Sequence, residues 1–99
     1  MTPPVPQLTV SLPSSQMPEV LARLNALLVQ QPYAVMHTCY GADTSELEIF
    51  TAEARCLLRL TLQAVPDGPE ASIQPTSTPD VPRETERLLQ QVLQACTAS

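Results

Sequence analysis

His37 and Cys39 stand two residues apart. In an extended segment both side chains emerge on one face, where an imidazole could activate a thiolate or the pair could begin a metal site. A metal site takes three or four convergent donors. The other cysteines do not supply them: Cys39, Cys56 and Cys96 are separated by 17 and 40 residues with no CxxC pair. That spacing fits neither a zinc motif nor a disulfide framework, and the strand pairing derived below turns Cys56 away from Cys39. The expectation is three unbridged thiols in a reducing compartment, with no metal and no cofactor.

Glu46 and Glu48 form a second pair, and two carboxylates on one face are raw material for general acid–base catalysis. Arg55 and Arg59 fall across the strand from them, and the resulting neutralisation belongs to a solvated sheet surface. Catalytic carboxylates are instead buried with shifted pKa values. Asp67-Gly68 has neither the further glycines nor the lysine of a phosphate-binding loop and reads as a turn. No residue set dictates a reaction, so the chain reads as non-catalytic.

The 99 residues are 43% apolar and 15% charged, an aliphatic globular composition at the size of one domain. Ten acidic residues outweigh five arginines, with no lysine, for a net charge of −5. Such a chain carries no electrostatic footprint for nucleic acid. The N-terminal stretch has no basic segment followed by an apolar one, and apolar runs are only a few residues long. Neither a signal peptide nor membrane insertion is expected, which points to a cytoplasmic protein.

Residues 1–6, with Pro3, Pro4 and Pro6, read as an extended arm ahead of a single domain over residues 7–97. Leu8, Val10 and Leu12 alternate with Gln7, Thr9 and Ser11, the signature of a half-buried strand. Pro13 ends it, and Ser14 or Ser15 can cap the helix that follows. Met17, Val20, Leu21, Leu24, Leu27 and Leu28 draw the apolar stripe of that helix, Glu19 and Arg23 add an i,i+4 pair outside, and Pro32 stops it. Residues 33–40 are aromatic and β-branched, a second strand that reads as central. Gly41 to Thr44 supply a turn. Residues 46–50 and 54–64 then alternate as two further strands. A helix over 52–62 is the rival for the latter, since Ala, Glu, Arg and Leu favour helices and the turn has no Gly or Asn.

Pairing decides for the hairpin. A two-residue turn at Ala52-Glu53 sets Ile49 opposite Cys56 and Leu47 opposite Leu58 inside, with Glu46 opposite Arg59 and Phe50 opposite Arg55 outside. Residues 66–79 hold four prolines and read as a crossing loop. Asp80 can cap a last helix whose stripe is Val81, Leu88, Leu89, Val92, Leu93 and Cys96. The order β-α-β-β-β-α thus implies an α+β two-layer sandwich: a four-stranded antiparallel sheet with both helices on one face.

Carrying the register through the Gly41 turn pairs Val35 with Phe50 and gathers Tyr33, Val35, Phe50 and Leu57 on the outer sheet face, rimmed by His37, Glu46, Glu48, Arg55 and Arg59. A contiguous apolar patch with a charged rim has the character of a docking surface. The expected role is therefore an accessory subunit that docks on the protein subunits of a larger complex. The alternative is a stand-alone homodimer or a module binding a small ligand between sheet and helices.

The length, the β-α-β-β-β-α order from Gln7 to Cys96, and Gln-rich, Lys-free helices such as Leu88-Leu-Gln-Gln-Val-Leu-Gln94 resemble the V subunit of the photosynthetic NDH-1 complex of cyanobacteria and chloroplasts. The resemblance implies a non-catalytic subunit bound peripherally, on the cytoplasmic side of a thylakoid membrane, beside the electron-input end of a complex that accepts electrons from ferredoxin. It transfers no residue role. An acidic chain would repel an acidic carrier, so it implies stabilising neighbouring subunits rather than receiving ferredoxin.

Overall fold

A computed structural model describes residues 5–68, 73–77 and 81–97. Strand β1 (Gln7–Pro13) leads through a 3-10 turn (Ser14–Gln16) into helix α1 (Met17–Val29). Then come β2 (Ala34–Tyr40), β3 (Thr44–Phe50), β4 (Cys56–Val65), β5 (Gln74–Ser77) and helix α2 (Arg83–Thr97). The fold is α+β, as its periodicities predict, and residues 56–65 are strand rather than helix. The sheet itself is five-stranded and mixed, in the order β2-β3-β4-β1-β5.

Two expectations are corrected here. β1 runs parallel to β4, with Leu8 beside Leu60 and Val10 beside Leu62, so the sheet is not wholly antiparallel. The supposed crossing loop at 66–79 contains β5, which pairs antiparallel with the other side of β1. β5 carries Pro75 and no apolar alternation, and proline is tolerated in a sheet at an edge such as this. Within that segment residues 69–72 and 78–79 lie outside the described residues, as do residues 1–4 of the arm and the expected cap Asp80. The end of the arm is tied down: the Arg59 N–H donates to the Pro6 carbonyl at 2.9 Å.

One core joins the layers. Leu8, Val10 and Leu12 of β1, Leu47 and Ile49 of β3, and Leu58, Leu60 and Leu62 of β4 are buried to 1% exposure or less. Against them lie Met17, Val20, Leu24 and Leu28 from α1 and Leu88, Leu89, Val92 and Cys96 from α2. The helix stripes match the sequence pattern except that Val81 precedes α2 and is not part of the core, and the Arg23–Glu19 pair forms at 2.6 Å. Thr85 sits in the α2 stripe because its hydroxyl donates to the Leu57 carbonyl at 3.1 Å, which satisfies both groups in the core. At the start of α1 neither serine caps by its own side chain. Instead the Asp67 carboxylate holds the 3-10 turn ahead of the helix, accepting from the Ser15 amide at 3.2 Å and hydroxyl at 2.9 Å.

The β3–β4 connection is longer than the expected two-residue turn, spanning residues 51–55. Thr51 and Arg55 close it, the Thr51 N–H donating to the Arg55 carbonyl at 2.9 Å, and Ala54 adopts φ 65. Alanine in the left-handed region meets its own Cβ against the backbone, at a cost of roughly 1–2 kcal/mol. Ala54→Gly is expected to stabilise the domain by about 1 kcal/mol, read as a higher denaturant midpoint with unchanged slope.

Candidate functional site

The expected docking patch does not assemble, for two reasons of register. Tyr40 pairs with Thr44 around a three-residue turn, Gly41 to Asp43, with Gly41 at φ 78. A four-residue turn would have set Val35 opposite Phe50. The shorter turn sets Val35 opposite Ile49 and Ala34 opposite Phe50. A slip of one residue exchanges the faces of a strand, so Val35, His37 and Cys39 lie on the helix side and Ala34, Met36, Thr38 and Tyr40 on the outer side.

The second reason is a bulge. Ile49 pairs with Leu58 but Phe50 pairs with Cys56, leaving Leu57 as the extra residue on β4. A bulge turns two consecutive side chains toward one face. Leu57 accordingly joins Leu58 in the core at 4% exposure, off the outer face of the expected patch. The bulge also brings Arg55 to the helix side, where its guanidinium pairs with Glu84 of α2 at 2.6 Å rather than with Glu46 or Glu48. Tyr33 packs half-buried against the core. Of the six expected docking residues, Phe50 and Arg59 alone remain on the outer face.

Arg59 does neutralise the carboxylate pair. It reaches Glu46 at 3.5 Å through Nε and Glu48 at 3.6 Å through Nη2. Its Nε is buried without a hydrogen bond, so Glu46 serves it by charge alone. The outer face is thus polar at its centre.

The apolar surface has moved to β2. Among the described residues the exposed large hydrophobics are Val29, Val35, Met36 and Tyr40, and three of the four are on this one strand. β2 contributes nothing to the buried core and is exposed on both faces along nearly its whole length. It is an edge strand, not the central one its composition suggests, because the helices cover β3, β4 and β1 and stop short of it. On its helix side Nε2 of His37 lies 3.6 Å from Sγ of Cys39.

The three thiols are unbridged, and they differ in environment. Cys39 is exposed. Cys56 is partly buried on the outer face, and its pKa is raised by burial first and by the neighbouring Glu48 carboxylate second. Cys96 is fully buried, and burial pushes its thiol up to about 11. Between the helices Leu27, Gln91, Gln94 and Ala95 line a shallow depression open to solvent, without the enclosure of a small-molecule site. No helix among the described residues is long and apolar enough to cross a membrane. No protein-family model matches the chain, and neither curated proteins nor solved structures give a significant match.

Proposed function

We propose that the protein is a non-catalytic interaction module that docks on protein partners through the β2 end of its sheet. The observation that carries this reading is the state of β2: seven residues with no charged side chain, apolar groups exposed on both faces, and one backbone edge that no strand among the described residues pairs. Soluble proteins protect such edges with lysine, proline, a bulge or a covering element. β2 has no lysine, proline or bulge within its span and no covering element among the described residues, so an added strand and a pair of apolar contacts are the natural cover. Met36 and Tyr40 are the anchors on the outer side, with Phe50, opposite Ala34, beside Met36. An accessory subunit held within a larger assembly, the role that the resemblance to the NDH-1 V subunit implies, is one form of this reading. The non-catalytic half rests on Glu46 and Glu48 being engaged by Arg59 at the surface.

Replacing Met36 and Tyr40 together by Lys is expected to leave the melting temperature nearly unchanged, because exposed side chains contribute within about 0.5 kcal/mol. The same change would weaken a partner complex by about 100-fold, since charges placed in an interface core are strongly unfavourable. Size fractionation of the tagged protein from its native extract reads both forms. A double variant that still migrates in the large complex refutes docking through β2.

A further inference from the structure

We propose that His37 and Cys39 are one half of a zinc site that is completed by a second copy of this chain paired through β2. The proposal rests on β2 being the docking element and names its occupant. Two donors on one strand do not hold a metal, and among the described residues no three metal-binding side chains come together. What the pair does have is the right bite. Zinc lies about 2.3 Å from a thiolate and about 2.0–2.1 Å from an imidazole nitrogen in a tetrahedral site, which places the two ligand atoms about 3.6 Å apart. Nε2 of His37 and Sγ of Cys39 are 3.6 Å apart. Both residues are exposed, on a side of β2 that the helices leave uncovered.

The missing half follows from symmetry. Two copies that pair antiparallel along β2 are related by a twofold axis normal to the sheet, so the helix side of one is continuous with the helix side of the other. With the axis at Thr38, His37 stands opposite the second copy's Cys39, and Cys39 opposite the second copy's His37. Opposite side chains on one face have Cβ atoms about 4.5–5.5 Å apart. The four donors then form a compact array of two thiolates and two imidazoles above one face, the Cys2His2 set that selects zinc by ligand type and geometry. Each thiol gives up its proton to solvent on binding, and the cation offsets the two thiolate charges. No charged side chain on β2 opposes the approach of the second copy.

The test uses the reduced full chain, freed of metal by a chelator and titrated with zinc or cobalt(II) ions. Mass by sedimentation or light scattering is expected to double at one zinc per two chains and to return to the monomer value on adding chelator. Cobalt(II) should show tetrahedral absorption with a thiolate charge-transfer band. Cys39→Ser and His37→Gln should each abolish the metal-driven doubling while melting like the parent, and Cys56→Ser should not. A mass unmoved by zinc, one metal bound per single chain, or doubling that survives Cys39→Ser would overturn the site. Failure here is separable from failure of docking: if Met36→Lys with Tyr40→Lys releases the native complex but Cys39→Ser does not, β2 docks a partner without zinc. If neither variant releases it, β2 is not the docking element at all.

Discussion

Leu57→Glu is expected to leave no cooperative melting transition at neutral pH. Leu57 is 4% exposed within the core, and its carbonyl accepts the Thr85 hydroxyl that ties α2 to the sheet. An ionised carboxylate there would be buried among leucines, and the penalty of several kcal/mol consumes most of the roughly 5–15 kcal/mol that holds a domain together. Leu57→Ala is milder, at about 2–5 kcal/mol. The contrast is Phe50→Glu. Phe50 is half-buried on the outer face, and its replacement should cost only about 1–2 kcal/mol and leave a folded domain. Circular dichroism melts of the two variants decide the matter. A folded Leu57→Glu beside an unfolded Phe50→Glu would reverse the direction of the β4 bulge.

The second large effect concerns Cys96. In the folded chain its thiol is sealed, and burial raises its pKa from 9.0 to about 11. Alkylation therefore requires unfolding, and Cys96 should react some 10³–10⁶-fold more slowly than exposed Cys39, in step with the unfolded fraction. Cys56 should fall between them. Quenched labelling read by mass spectrometry gives the order, and comparable rates at Cys96 and Cys39 would contradict the packing of α2. The same shift has a consequence for stability. A raised thiol pKa means that the folded state holds its proton more tightly, so the contribution is whole below about pH 9. It is lost as pH rises toward about 11, by an eventual ~2–3 kcal/mol. Cys96→Ala should lack that part of the alkaline decline.

The contrast between β3 and β2 shows what a single sequence can disclose. In β3 and β4 the helices bury one face, so Leu47, Ile49, Leu58, Leu60 and Leu62 had to alternate with polar neighbours. From Leu58 onward the hairpin is displaced by two residues and keeps its expected faces, because an even displacement preserves parity, whereas the bulge before it exchanges the faces of Arg55, Cys56 and Leu57. β2 is buried on neither face, so nothing in Ala34–Tyr40 marked which side was which. The length of the turn at Gly41 decided it, and one residue fewer reversed the strand. β5 was hidden for a related reason: a short edge strand with a proline needs no apolar rhythm to pair. That His37 and Cys39 share a face was legible from their spacing. That the face lies open, at the rim of the helix layer, depended on strand order, which no local pattern encodes.

The position of β1 between β4 and β5 bears on how the chain reaches this state. Leu8 pairs with Leu60, 52 residues later, and with Ser77, 69 residues later. The β2–β3–β4 meander closes through short turns, whereas β1 must wait for strands made later in the chain. At a synthesis rate of about 5–20 residues per second, β1 emerges roughly 3–10 s before the strand it lies beside has been made. Loop closure over such distances slows refolding as well. The first strand to be translated is thus among the last to be seated, and its Leu-Val-Leu face is exposed to other chains in the interval.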